Sequence, residues 1–143
     1  MTLFLLDTTT ITHLRNGHTK AIASQMAYSE PNTGQVIGIA SVNVEEVIGG
    51  WLSFLQRART PQQQASGANR LNDSLRFLSR YTLIAITEAA VARHEVLRRM
   101  KLNVGRNDLR LAALALELGA TVVTDNIRDF GRVPGLSWID WTK

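Results

Sequence analysis

Leu3-Phe4-Leu5-Leu6-Asp7 sets four consecutive apolar residues directly against an acid. An unbroken apolar run this short is the pattern of a strand buried on both faces, as in a parallel sheet, since a strand with one wet face would alternate. Outward from it, Val36-Ile37-Gly38-Ile39-Ala40 repeats the pattern after the turn-prone Ser29-Glu30-Pro31-Asn32-Thr33-Gly34. Leu83-Ile84-Ala85-Ile86 and Thr121-Val122-Val123-Thr124 repeat it again, and a last short strand is expected near Trp138 to Ile139.

The segments between these runs read as helices. From Val42 the residues Val44, Val47, Ile48, Trp51, Leu52 and Leu55 recur at spacings of three and four, a helix with one buried stripe that Ser41 is expected to cap and Gly49-Gly50 to weaken. Thr60-Pro61 marks a break and restart, after which Ala65, Ala68, Leu71, Leu75 and Leu78 outline a helix ending near Tyr81. Thr87-Glu88 opens another that runs to about Met100 with Arg crowding its outer side. Asn107 or Asp108 is expected to cap an Ala/Leu-rich helix that Gly119 stops after Leu118. Strands alternating with crossover-length helices predict an α/β sandwich around a mainly parallel sheet of four or five strands.

The 143 residues, 45% of them hydrophobic, are the size of one domain and enough for a core without cross-links. Sixteen Lys plus Arg against twelve Asp plus Glu give a net charge of +4, which favours polyanionic partners. The absence of Cys excludes disulfides and thiolate metal sites and fits a reducing cytosol. Met1 to Leu6 is too short for the apolar region of a signal peptide, and no run approaches membrane-spanning length, so a soluble cytoplasmic protein is expected.

In open parallel sheets ligands bind beyond the carboxyl ends of the strands. Four acids stand at such places. Asp7 follows the first strand, Glu46 lies in the first turns after the second, Asp108 starts the helix before the fourth, and Asp129 follows the fourth. Carboxylate oxygens suit hard cations such as Mg²⁺ and Mn²⁺, which polarise a phosphodiester and activate water without any His or Cys nucleophile. Asp after a strand or at a helix start also arises for turn and capping reasons alone, Asp108 being the clearest case. Glu45 and Glu46 point about 100° apart on a helix. Glu46 borders the apolar stripe, so Glu45 is read as the solvated one.

Leu5-Leu6-Asp7-Thr8, Val44-Glu45-Glu46-Val47, Val104-Gly105-Arg106-Asn107-Asp108-Leu109-Arg110-Leu111-Ala112-Ala113 and Thr124-Asp125-Asn126-Ile127-Arg128-Asp129-Phe130 together resemble the motif blocks of PIN-domain nucleases, especially VapC-type toxins. The tail from Val133-Pro134-Gly135-Leu136 through Trp141 is similar as well. The resemblance spans the chain in the family's order. It implies one PIN domain over residues 1–143, a three-layer α/β/α sandwich. It further implies Mg²⁺- or Mn²⁺-dependent endoribonuclease activity on RNA, homodimerisation, and neutralisation by a cognate antitoxin protein. Asp7, Glu46, Asp108 and Asp129 fall on the family's acidic positions and are the candidate catalytic and metal-binding residues. Thr9 and Asn43 depart from the Asn and Thr common there, each exchanging one short polar group for another. Asp125, where toxins often carry a base, is a possible extra ligand ranked below Asp129.

Arg93, Arg98, Arg99, Lys101, Arg106 and Arg110 lead into the Asp108 block and are candidates for holding RNA phosphates, with a solvated helix face expected for half of them. Thr124 and Ser41 are candidates for orienting carboxylates. His13, His18 and His94 show no ligand spacing, and Trp51, Trp138 and Trp141 read as packing residues. Two rivals stay open: a phosphoryl-transfer enzyme with Asp7 as nucleophile, for which Thr9 stands where a second Asp is needed, and a non-catalytic RNA- or protein-binding module.

Overall fold

A computed structural model describes residues 2–29 and 34–143. Most of the turn expected over Ser29 to Gly34 therefore lies outside the described residues. In chain order the elements are β1 (Thr2–Leu6), α1 (Thr8–Arg15), α2 (Thr19–Tyr28), β2 (Gln35–Ala40), α3 (Ser41–Arg57) and α4 (Pro61–Leu78). They continue with β3 (Thr82–Ile84), α5 (Glu88–Arg99), α6 (Arg106–Leu118), β4 (Thr121–Val123), α7 (Ile127–Phe130) and β5 (Ser137–Ile139). Among the described residues the sheet has five strands in the order β3-β2-β1-β4-β5, every neighbouring pair parallel.

The unbroken apolar run of β1 is explained by the two cores it separates. Leu5 packs into a cluster with Ala90 and Leu97 of α5 and Leu111 to Ala115 of α6, while Phe4 and Leu6 pack on the other face with Ile11, Leu14, Ala21, Leu78 and Trp141. Helices α5 and α6 thus cover one face and α1 to α4 the other, giving the expected three layers. Each of these strand side chains is removed from water on its own side, a contribution of roughly 1.5–3 kcal/mol apiece.

Local details depart from expectation where packing overrides propensity. Ser41 is the first helical residue and caps nothing: Ala40 occupies the cap position without a side-chain bond, the helix springing directly from β2. Gly49-Gly50 lie within α3, which continues unbroken to Arg57 because α4 packs along it. A Cβ on Gly67 of α4 would sit 2.8 Å from Phe54 and Leu55, so their close approach needs glycine there. Thr60 caps α4 in a reciprocal capping box with Gln63. Leu75, expected in the stripe, is exposed, the buried positions of α4 being Gly67, Ser74 and Leu78. Trp141 is buried and stacks on Tyr28, whereas Trp138 projects from the edge strand β5. No helix among the described residues is long and apolar enough to cross a membrane.

Gly119 ends α6 in the left-handed conformation, φ +63°, with open space where a Cβ would go. Gly119→Ala therefore isolates the backbone cost and is expected to lower stability by about 1 kcal/mol. A urea midpoint that falls with unchanged slope is the signature.

Candidate active site

The chain leaves β1 in the middle of the sheet, fills the β2 and β3 side, then crosses back to place β4 on β1's other flank. This reversal makes the carboxyl ends of β1 and β4 a switch point, where neighbouring connections diverge and leave a crevice. Asp7 and Thr124 are the first residues beyond these two ends. They meet there: Thr124 Oγ1 donates to Asp7 Oδ2 at 2.5 Å. The same Thr124 oxygen accepts from the Asn126 amide at 2.9 Å, which locks the hydroxyl between strand end and loop.

Asp7 is only 2% exposed and serves the fold as well as the crevice, because its Oδ1 caps α1 by accepting from the Thr10 amide at 2.8 Å. Burial pushes its carboxyl above the ordinary range, and hydrogen bonds from Thr124, Thr10 and Thr9 pull partly the other way. Thr9 Oγ1 stands 2.9 and 3.0 Å from the two Asp7 oxygens and 2.8 Å from Asp125 Oδ1. One hydroxyl has one proton. Several carboxylate oxygens therefore converge on it without enough donors, an arrangement relieved by a shared proton or a cation.

Asp108 lies in the first turn of α6, but Gly105 holds the cap position with no side-chain bond, so neither Asn107 nor Asp108 is the cap the sequence pattern led us to expect. The helix starts earlier, and Asp108 is left free to face the other acids. Its carboxyl is pushed up to about 6, first by burial and then by the charges of Asp7, Glu46 and Asp129. That coupling places all four acids in one electrostatic neighbourhood.

Glu46 accepts from Thr8 Oγ1 at 2.9 Å, and Thr8 accepts in turn from the buried Asn43 Nδ2 at 3.0 Å. Asp129 accepts from Asn126 Nδ2 at 3.1 Å and lies 3.6 Å from Arg132. Asp7, Glu46 and Asp129 are thus each aimed by a short polar neighbour, whereas Asp108 is placed by its position on α6 alone. Glu45 and Glu46 are both exposed, so the expected contrast in burial is absent, and what separates them is their partners, Arg110 for Glu45 at 3.0 Å and Thr8 for Glu46. Ser41 makes no hydrogen bond to any of the four acids among the described residues.

The PIN domain family model matches residues 4–136. The chain belongs to the PIN domain family. Ribonuclease VapC1 of Haemophilus influenzae strain R2866 is 28% identical over 144 residues, 99% of each chain. A crystal structure of DNA-bound VapBC from Salmonella typhimurium matches with TM-score 0.74 and 28% identity over 99% of both chains. VapBC2 from Rickettsia felis, bound to a DNA fragment from its promoter, matches with TM-score 0.75 over 97% of this chain and 98% of that one; at 24% identity this is a likeness of fold.

Within this PIN domain the chemistry of the donor set fits a hard divalent cation: carboxylate oxygens only, those of Asp7 and Asp108 partly desolvated, with Asp7, Glu46 and Asp129 held by hydrogen bonds. Among the described residues no three His, Asp or Glu stand in one ion's coordination sphere, so a bound ion would keep waters, as Mg²⁺ commonly does. Asp125 stands beside Asp7 across the Thr9 hydroxyl and also has a partner of its own. His13 Nε2 lies 2.8 Å from its Oδ2, and although burial raises its pKa, the bonds from His13 and Thr9 outweigh this and hold the carboxyl below the usual range. His13 was missed because its sequence neighbours carry no ligand spacing. The available signal was its position four residues after Thr9, which puts both on one face of α1. Half of the basic run is ion-paired, Arg93 with Glu117, Arg98 with Glu95 in a solvent-exposed pair, and Arg110 with Glu45.

Proposed function

We propose that this PIN domain, taken over residues 1–143, is an endoribonuclease working with Mg²⁺ or Mn²⁺, with Asp7, Glu46, Asp108 and Asp129 as its catalytic centre, and that it is the toxin of a toxin–antitoxin pair. The observation that carries this reading is the convergence of four carboxylates from four elements beside the β1/β4 crevice, three of them aimed by polar neighbours and the fourth, Asp108, feeling the charges of the other three. A relative named a ribonuclease over nearly its whole length, and VapBC complexes of the same fold, support the activity and a cognate antitoxin protein as partner. A homodimer in the cytoplasm is the expected form.

Asp7 and Asp108 are the principal metal ligands in this reading, with Glu46 and Asp129 completing the site directly or through water. A divalent cation held there supplies Lewis-acid polarisation of the phosphodiester and acidification of water. The chain's own part is to bind and orient. Thr124 and the Thr10 amide fix the Asp7 carboxylate from two sides, Thr8 fixes Glu46 and Asn126 fixes Asp129, so little reorganisation remains when RNA arrives.

Incubating a mixed RNA pool with the purified protein and Mn²⁺, and in parallel with EDTA, tests the assignment. Cutting with Mn²⁺ that stops in EDTA is the expected result; a folded, Mn²⁺-loaded protein that binds RNA and leaves it whole would point to the non-catalytic module instead. Thr124→Val keeps the β-branched shape and removes the donor to Asp7. Cleavage is expected to fall about 10–100-fold, with the acid limb of the pH profile moving upward as Asp7 loses a bond that favours its ionised form. An unchanged profile would remove Thr124 from the positioning network.

A further inference from the structure

A cavity of about 330 Å³ lies between α5 and α6, outside the four acids. Its apolar wall is Ile86, Ala90 and Val91, and Arg98 and Arg106 stand at it as exposed cations. Arg98 pairs with Glu95, which also lines the cavity, while Arg106 has no ion pair among the described residues. The remaining wall residue of note is His94. It is 9% exposed and its Nε2 is closed off from solvent, so only the rest of the ring faces the cavity.

The position of the cavity matters as much as its lining. Arg106 and Arg110 stand one helical turn apart on the side of α6 that meets the cavity, and Asp108 lies about 200° round the helix from Arg106. The cavity and the acidic centre therefore flank the first turn of the same helix, separated by about one helix diameter, roughly 10 Å. A chain of phosphates crossing the amino end of α6 would meet both, and that helix end itself favours phosphate.

We propose that this cavity is a binding subsite for one nucleotide of single-stranded RNA, the phosphate held by Arg98 and Arg106 and the base seated on Ile86 and Val91 against the His94 ring. The proposal rests on the ribonuclease reading for its choice of RNA. Its volume is at the lower end of small-molecule sites and suits one base with its sugar. Burial, the largest influence, holds the His94 ring below its usual pKa, so at neutral pH the cavity wall it forms is an uncharged aromatic ring that a base can pack against. The guanidinium groups supply the charge that a phosphate needs.

The test measures binding of a fluorescent mixed-sequence RNA hexamer to the full chain in EDTA, where no cleavage is required. Arg98→Gln with Arg106→Gln is expected to weaken binding about tenfold and to reduce the slope of log affinity against log salt by roughly one. His94→Ala, which removes the ring, is expected to weaken the hexamer several-fold and to leave an abasic hexamer unaffected. The double Arg variant, exposed at both positions, keeps the test meaningful if His94→Ala does not fold. Wild-type-like binding by the double Arg variant overturns the proposal, even if the wild-type protein cuts RNA. An abasic strand bound as tightly as RNA reduces the cavity to an anion site, and displacement of RNA by an equal concentration of hexaglutamate makes it a protein-docking site; either result overturns it. Loss of binding in the variants supports it even if no cleavage is ever observed.

Discussion

Asp7→Asn and Asp108→Asn are each expected to lower metal-dependent RNA cleavage by about 10³-fold or more, some 4 kcal/mol of transition-state stabilisation, while leaving the fold intact. Asn is as good a helix cap as Asp, so the bond from the Thr10 amide that starts α1 survives the first substitution. Asp108 caps nothing, so the second removes only charge. Because the two act on one ion and one phosphate, the double variant should be little worse than the poorer single one. Initial rates on a labelled RNA at saturating Mn²⁺ measure this, with circular dichroism to verify folding. A variant retaining a tenth of wild-type activity would take that residue out of the centre.

The second large effect concerns stability and has a definite sign. Asp108 titrates from an ordinary value of 3.8 to about 6 on folding, so between those values the folded chain holds more protons than the unfolded one. Its contribution to stability is therefore present below about pH 4 and lost as the pH rises through about 6. The full shift corresponds to about 3 kcal/mol, and because the side chain is only half-buried, solvent screening reduces this to about 1–2 kcal/mol. Asp7 is displaced in the same direction by burial. Without divalent metal, Asp108→Asn should therefore melt higher than wild type at pH 7.5 and match it near pH 4. Mn²⁺ binds the ionised carboxylates, so it should raise the wild-type melting temperature by about 5–10 °C at a hundredfold excess over its Kd, more at pH 7.5 than at pH 5. A melting temperature indifferent to Mn²⁺ would contradict the assignment of these acids as ligands.

The architecture was legible because its signals are local and strong. Leu3 to Leu6 and Val36 to Ala40 are apolar on both faces, and no other common arrangement accepts such strands. The positions of Asp7, Glu46 and Asp129 were legible for a related reason, since the ends of buried strands can be read from where the apolar residues stop, whereas Asp108 follows no strand and stood out as an acid at a helix start within its motif block. What was not legible depends on contacts across the sheet. The start of α6 at Arg106 is decided by the packing of Leu109 and Leu111, so a capping pattern centred on Asn107 and Asp108 misled. His13 reaches Asp125 across 112 residues, and Arg110 reaches Glu45 across 65, neither of which any spacing rule encodes. Gly49-Gly50 look like a weak point until α4 is seen alongside them.

The strand order carries a consequence for the making of the protein. β1 is synthesised first, but the neighbour that completes its crevice, β4, comes more than a hundred residues later, and Thr124 bonds to Asp7 over 117 positions. Contacts this distant in sequence form slowly and late, after the more local α1 to α4 layer has gathered on β2. A chain stalled before Thr121 holds Asp7, Glu46 and Asp108 with no β4 to bring them together, and one stalled before Asp129 lacks an acid outright. On the proposed four-acid centre, nascent fragments that end before Asp129 are expected to be inert toward RNA, so activity would arise only near the end of translation.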